Sequence, residues 1–175
     1  EHFSLFDYFR DIKNNNKFEN IILTASGGPF YKKKFRNLNN VKFEQAIKHP
    51  KWKMGYKNSI DSATMVNKCL EIVEAHYLFN VPYDNIKILI HPEAIVHSIV
   101  ENKNYVSNMN LFKNDMSIPI FNFLAQSANT NIYKKNKNLS IPSYKNFNFY
   151  NVSSQNFPIF HFFNNLDKSN PANII

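Results

Sequence analysis

Apolar positions along the chain fall into short, separate patterns rather than one long run. Phe3, Leu5, Phe6 and Phe9 recur at helical spacing and predict an amphipathic helix over residues 2–10. Residues 13–17, with three asparagines between two lysines, predict a loop. Asn20-Ile21-Ile22-Leu23-Thr24 is an apolar burst closed by Ser26-Gly27-Gly28-Pro29, which predicts a buried strand. Residues 26–58 are polar, basic and turn-rich, with a short helix expected over residues 43–48. A connection of that length is a lid over a site or a disordered segment. The strongest helical pattern covers residues 62–79. Asp61 or Ser62 caps it, Met65, Leu70, Ile72, Val73 and Leu78 supply its apolar face, and Val81-Pro82-Tyr83 ends it. Residues 86–90, 95–100 and 105–111 predict three strands, the first two split by His91-Pro92-Glu93. Residues 117–125 predict a helix around Pro119. Residues 127–150 are rich in Asn, Lys and Ser and read as a linker, and residues 157–166 open another helix. The fold class expected is α+β: a small sheet with helices packed on one side, a connection, then the start of a helical C-terminal part.

Composition narrows the classes. With 175 residues, 43% of them hydrophobic, the chain can bury a core, and disorder over its whole length is excluded. No run of about 18 apolar residues is present to form a transmembrane helix. The start, Glu1-His2-Phe3-Ser4, lacks the basic-then-apolar order of a signal peptide, and it lacks Met, so the chain reads as a piece of something longer. The single cysteine, Cys69, excludes an internal disulfide and fits a reducing compartment. A formal charge of +8 invites a polyanion-binding reading. The surplus of Lys, Asn, Ile, Phe and Tyr over Gly and Ala instead points to the codon bias of an AT-rich genome, with part of the charge serving an anionic substrate. Only three glycines occur, Gly27, Gly28 and Gly55, all in one short window with the single tryptophan, Trp52.

That window and the segments that follow it hold the candidate chemistry. Ser26-Gly27-Gly28 after a strand is either a nest of backbone N–H groups for phosphate or a plain turn. His49-Pro50-Lys51-Trp52-Lys53-Met54-Gly55 is either a flap that closes over a ligand or a surface loop with one anchored indole. On a helix, Asn67 and Glu71 stand four residues apart and Lys68 and Glu71 three apart. Their side chains either converge, with Ser62 at the positive end of the helix dipole, on an anion and a cation, or form a surface Lys–Glu pair. His91 and His97 are spaced too irregularly for a metal pair and read as hydrogen-bonded structural histidines. No Cys/His zinc pattern occurs.

In order and spacing, these blocks resemble consecutive blocks of the 1-deoxy-D-xylulose 5-phosphate reductoisomerase family. Leu89-Ile90-His91-Pro92 with His97-Ser98, and Asp115-Met116 with Pro119-Ile120, continue the match, which is good over residues 21–125. Val66 and Cys69 stand where the family usually has Met and Gly. Glu1-His2 resembles the end of an Asp-Ser-Glu-His motif, so the chain is expected to begin inside that motif and to lack the NADPH-binding domain before it. The resemblance implies Glu1 and Glu71 as two of three carboxylate ligands of Mg2+ or Mn2+. It implies Ser26, Ser62, Asn67 and Lys68 around the phosphate and hydroxyls of a small phosphorylated sugar, with His49 and Trp52 reaching it from the flap. Gly27 and Met54 would lie towards NADPH, and Glu1, Glu71, Lys68 and His49 would act in catalysis. His97 would sit near the site.

The activity implied is conversion of 1-deoxy-D-xylulose 5-phosphate to 2-C-methyl-D-erythritol 4-phosphate in non-mevalonate isoprenoid biosynthesis. It proceeds by C–C rearrangement and hydride reduction in a cytoplasmic homodimer, bacterial or plastid, without nucleic-acid or membrane partners. The 175 residues alone are expected to be inactive. The domains expected are residues 1–126, catalytic; 127–152, a connection; and 153–175, the start of a helical domain. Two other readings stand beside this one: a basic, non-catalytic module for RNA or another polyanion, and a decayed relative that folds without catalysing.

Overall fold

β1 (Phe18–Ala25) lies at the centre of a five-stranded mixed sheet ordered β4-β3-β1-β2-β5. The structure, a computed structural model, describes residues 1–10, 18–51, 53–128, 146–170 and 173. The expected loop at 13–17, Trp52 and most of the expected linker lie outside them. β2 (Ile86–Ile90) runs parallel to β1 with Leu23 opposite Ile88, whereas β3 (Val96–Asn102) runs antiparallel to it with Ile22 opposite Ile99. β4 (Ser107–Leu111) and the two-residue β5 (Tyr150–Asn151) close the edges antiparallel. The short β5 carries no pattern of its own in sequence; it forms by pairing with Leu89 and Ile90.

Successive strand residues point to opposite faces, and the sheet uses this to build two apolar layers. Ile21, Leu23, Ile86 and Val100 face helices α1 (His2–Arg10), α4 (Val66–Phe79) and α6 (Ile159–Asn165), whose Leu5, Ile72, Ala75 and Phe163 complete the larger core. Ile22, Val96 and Ile99 cluster separately, with Leu89, Leu111 and Phe149 against them. The α+β expectation, with helices packed on one side of a small sheet, therefore holds. α5 (Ser117–Ser127) also forms where expected, with Pro119 in the first turn, where its missing N–H goes unused.

The single helix expected over residues 62–79 is two helices. After the one-turn α2 (Phe43–Ala46), inside the 43–48 helix expected, α3 (Tyr56–Thr64) ends at Met65, whose backbone turns left-handed at φ 65°, and α4 starts at the next residue. Ser62 is thus in the last turn of α3, not at a helix start, and the nearby positive dipole end belongs to α4. Met65 is 2% exposed, so burial of its side chain offsets the strained backbone. The joint also rotates the buried face of α4. Lys68, Cys69, Ile72 and Ala75 are buried, while Leu70 and Leu78, expected in the core, are 40% and 64% exposed. Tyr105, expected in a strand, instead sits in a turn at φ 63° and is almost fully exposed.

This orientation has a measurable consequence. Ile72→Ala should cost roughly 2–4 kcal/mol, whereas Leu78→Ala should cost under about 1 kcal/mol, both read from urea midpoints. Equal losses would restore the single-helix face.

Candidate active site

The carboxyl end of β1 and the first turns of α4 meet beside a cavity of about 430 Å³. At its base Lys68, 5% exposed, is held by three acceptors: Glu1 Oε1 at 2.9 Å, Glu71 Oε2 at 2.8 Å and the Thr24 carbonyl at 2.6 Å. An ammonium has three N–H groups, so every donor is used. Glu71 also accepts from Asn67 Nδ2 at 2.5 Å, the i, i+4 pair anticipated from spacing. Glu1 is fixed through α1: its carbonyl accepts from the Ser4 N–H and from Ser4 Oγ, which lies 2.6 Å from Ser98 Oγ on β3. The surface-pair reading of Lys68 and Glu71 is thereby overturned, because the pair is buried.

The two carboxylates diverge in acidity. Burial pushes both up. At Glu1 the Lys68 ammonium overrides burial and holds the carboxyl well below its usual value. At Glu71 burial prevails over Lys68, and the charge of Glu1 adds to it, raising the group to about 7. Burial likewise opposes the charge on Lys68, but Glu1 and Glu71 outweigh it and keep the lysine protonated. Buried Cys69 is pushed up to about 12, so it is a packing thiol.

Around this cluster stand hydroxyls and imidazoles. His49 Nδ1 accepts from the Lys51 N–H at 3.1 Å, which places the proton of the neutral ring on Nε2, 2.9 Å from Ser26 Oγ. Ser26 Oγ also accepts from the Gly28 N–H at 3.4 Å, so its own O–H remains to donate. Burial lowers His49 and favours that neutral ring.

His97 is the extra residue of a β-bulge: β3 advances two residues from Val96 to Ser98 while β4 advances one, from Leu111 to Asn110. Bulges re-aim side chains beside sites. Here the ring stacks on Phe112 with centroids 3.7 Å apart, and its Nε2–H meets the Phe112 carbonyl at 3.1 Å. Burial lowers His97 to about 4, despite the opposing charge of Glu1. His91 does not line the cavity; its Nδ1 lies 2.9 Å from the Asn148 carbonyl.

The cavity gathers Glu1, Ser26, His49, Met54, Ser62, Asn67, Lys68, Glu71 and His97, which the sequence placed on a strand end, a flap and a helix. Trp52 lies outside the described residues. Gly27 does not line the cavity. A Cβ there would fall 2.6 Å from Tyr31 Cβ and 2.8 Å from Ile90 Cγ2, so its role in this structure is close packing at φ 84°. Sequence reasoning missed Thr24, Lys53, Asn58 and Asn114 as lining residues. Thr24 and Lys53 at least stood inside or beside the blocks singled out; Asn58 and Asn114 carried no signal. Among the described residues no three His, Cys, Asp or Glu gather as a metal cluster. Two carboxylates on one cavity wall nevertheless suit a hard cation that takes its remaining oxygens from water and ligand.

Fold and site together define an α+β domain whose cavity, built on a carboxylate–lysine–carboxylate cluster, is equipped for an anionic ligand and a divalent cation. Residues 1–79 match the family described as the 1-deoxy-D-xylulose 5-phosphate reductoisomerase C-terminal domain. The chain is 42% identical over 166 residues to the 1-deoxy-D-xylulose 5-phosphate reductoisomerase of Pelagibacter ubique, covering 95% of this chain and 42% of that protein. It is 55% identical over 113 residues to that of Lawsonia intracellularis, covering 65% of this chain and 28% of that one. Among solved structures, the Zymomonas mobilis reductoisomerase in complex with NADPH superposes with a TM-score of 0.86 at 33% identity, covering 99% of this chain and 44% of that one. A DOX-P reductoisomerase in complex with NADPH, fosmidomycin and magnesium gives 0.77 at 33%, covering 90% and 38%. The chain belongs to the 1-deoxy-D-xylulose 5-phosphate reductoisomerase family. It spans less than half the length of these relatives.

Two outcomes follow. Gly28 has φ +64°, and a Cβ there would meet the Ser62 carbonyl oxygen at 2.8 Å and Ala63 Cα at 3.0 Å. Gly28→Ala should therefore lose about 2 kcal/mol or more, read by urea unfolding. A His97 pKa depressed in the folded state means the unfolded chain binds more protons between the two values. Stability is then full above about 6.5 and falls as pH drops towards about 4. His97→Gln should flatten that decline in a pH series of urea midpoints.

Proposed function

We propose that this chain supplies the metal- and substrate-binding part of a 1-deoxy-D-xylulose 5-phosphate reductoisomerase. That enzyme forms 2-C-methyl-D-erythritol 4-phosphate in non-mevalonate isoprenoid biosynthesis. The observation that carries the reading is the convergence of Glu1, Ser26, His49, Ser62, Asn67, Lys68 and Glu71 on one cavity. Family membership supplies the reaction; convergence argues that the residues needed for it are in place, against the decayed relative. The polyanion-module reading accounts for charge but not for two carboxylates on a buried lysine.

Glu1 and Glu71 would hold the cation, Mg2+ or Mn2+, since oxygen donors accept either. The raised Glu71 marks a site where positive charge restores the anionic carboxylate. Bound there, a divalent cation supplies Lewis acidity to the substrate's oxygens, and NADPH supplies the hydride. Lys68 keeps both carboxylates aimed while neutralising one of them. Ser26 turns its free O–H to the substrate, with neutral His49 fixing the direction of that hydroxyl. Ser62 and Asn67 line the same wall beside the positive end of α4, which favours an anion. The stretch holding His49, Trp52 and Met54 would close over the substrate and exclude water, with Met54 and Gly27 on the NADPH side. Residues 1–126 would form the catalytic domain, 127–152 a connection and 153–175 the start of a helical domain, working as a cytoplasmic homodimer. No helix among the described residues is long and apolar enough to cross a membrane.

NADPH consumption driven by 1-deoxy-D-xylulose 5-phosphate and Mn2+, on the whole protein that carries this chain, tests the reading. Glu71→Gln should lower the rate by at least about a hundredfold, beyond what changing a ligand's outer partners costs. A chelator should abolish the rate and added Mg2+ restore it. The 175 residues alone should turn over nothing. A folded whole protein that binds NADPH but consumes none would return the decayed relative to first place.

A further inference from the structure

Residues 146–151 belong to the stretch that reads in sequence as a connection, yet they are gripped by the body of the fold. β5 pairs only two residues, too few to hold a segment by ladder bonds alone. The hold comes from the turn after β2. Glu93 Oε1 accepts from Asn148 Nδ2 at 2.6 Å, and Oε2 accepts from the Asn148 N–H at 3.2 Å. His91, fully buried, donates from Nδ1 to the Asn148 carbonyl at 2.9 Å, with Glu93 Oε2 3.1 Å away. Both neighbours of that nitrogen are acceptors, so it carries the ring proton. The ring stacks on Phe149 with centroids 4.7 Å apart. Burial pushes the Glu93 carboxyl up, but the Asn148 bonds outweigh it and hold the group below its usual value, so the acceptor in this grip is charged.

The same turn reaches the cavity through its backbone. The Glu93 carbonyl accepts from Asn114 Nδ2 at 3.3 Å, and Ala94, left-handed at φ 55°, follows at once. The Ile95 carbonyl accepts from the Phe112 N–H at 3.1 Å, and the Phe112 carbonyl meets His97 Nε2 at the same distance. Ala94, His97 and Asn114 line the cavity, whereas Glu93 and Asn148 do not. One wall is thus tied, bond by bond, to a residue whose side chain is engaged outside it.

We propose that Glu93 is a positioning residue: by clasping Asn148 it fixes the turn that carries Ala94 and anchors Asn114, and so makes residues 147–149 part of the scaffold of the cavity. That the ligand of the cavity is 1-deoxy-D-xylulose 5-phosphate rests on the function proposed above; the clasp itself does not. A left-handed alanine is a strained position that its surroundings must hold in place. A wall displaced by about 1 Å is enough to weaken what the cavity does with its ligand.

The test uses the whole protein with Glu93→Ala, Asn148→Ala and both together. Hydrogen exchange is the first readout. The Ala94 and Phe112 amides, both hydrogen-bonded here, should exchange about tenfold faster in Glu93→Ala, while those of residues 70–76 in α4 keep their rate. The second readout is turnover of 1-deoxy-D-xylulose 5-phosphate. KM should rise about fivefold in Glu93→Ala and less in Asn148→Ala, whose backbone N–H still reaches Glu93. A change that only unfolds part of the sample lowers kcat and leaves the KM of the folded remainder alone. In the double variant, Asn148→Ala should add nothing to Glu93→Ala, because Glu93 holds the bond that the Asn148 side chain makes. Exchange that quickens everywhere or nowhere, additive effects of the two changes, or a KM within about twofold of the unaltered protein overturn the proposal. Locally faster exchange in a protein that turns over no substrate in any version supports the clasp and sinks the reductoisomerase reading instead. Normal turnover, with neither KM nor exchange altered, does the reverse.

Discussion

Everything at this site turns on one buried ammonium. Lys68 draws together a carboxylate from the start of α1, a carbonyl from the end of β1 and a carboxylate from its own helix. An isolated buried lysine is strongly disfavoured, and so are two facing carboxylates. Each is tolerable only because the other is there. Breaking such a cluster by removing one member leaves an uncompensated charge, which costs more than the pair contributes. The cluster also explains why the elements stop where they do. β1 must end with its Thr24 carbonyl aimed at α4, and α4 must start with Lys68 in its first turn, which the left-handed Met65 accomplishes.

The surrounding groups are tuned by the same low-polarity setting. Burial lowers the imidazoles of His49 and His97 while it raises Glu71. At neutral pH the cavity therefore offers neutral rings, a fixed cation, and one carboxylate that burial makes a weaker acid than usual. This arrangement leaves the wall receptive both to added positive charge and to hydrogen-bonding oxygens.

Much of this was legible in the residues. Strand β1, helix α1 and the helical pattern after it follow from spacing alone, and the Asn67–Lys68–Glu71 face follows from three- and four-residue steps. What spacing could not show was the break at Met65. A single left-handed residue leaves no mark in hydrophobic periodicity when its side chain is apolar and its neighbours continue the pattern. For the same reason Leu70 and Leu78 looked like core. β5 was invisible because two residues have no period, and the bulge at His97 because it depends on how β4 aligns. Asn58 and Asn114 reach the cavity through tertiary packing, and an asparagine in an Asn-rich chain stands out nowhere.

The joint at Met65 has a consequence for how the chain tolerates change. Because α3 and α4 share no continuous hydrogen-bond ladder across it, their rotational phases are independent. A one-residue insertion or deletion within α3 would shift the phase of the α3 side chains on one side of it without turning those of α4. Asn67, Lys68 and Glu71 would keep their bearing on β1. A continuous helix would instead transmit the same length change as a rotation of about 100° to every residue below it. Helix α3 can therefore change in length while the charged cluster on α4 stays in phase.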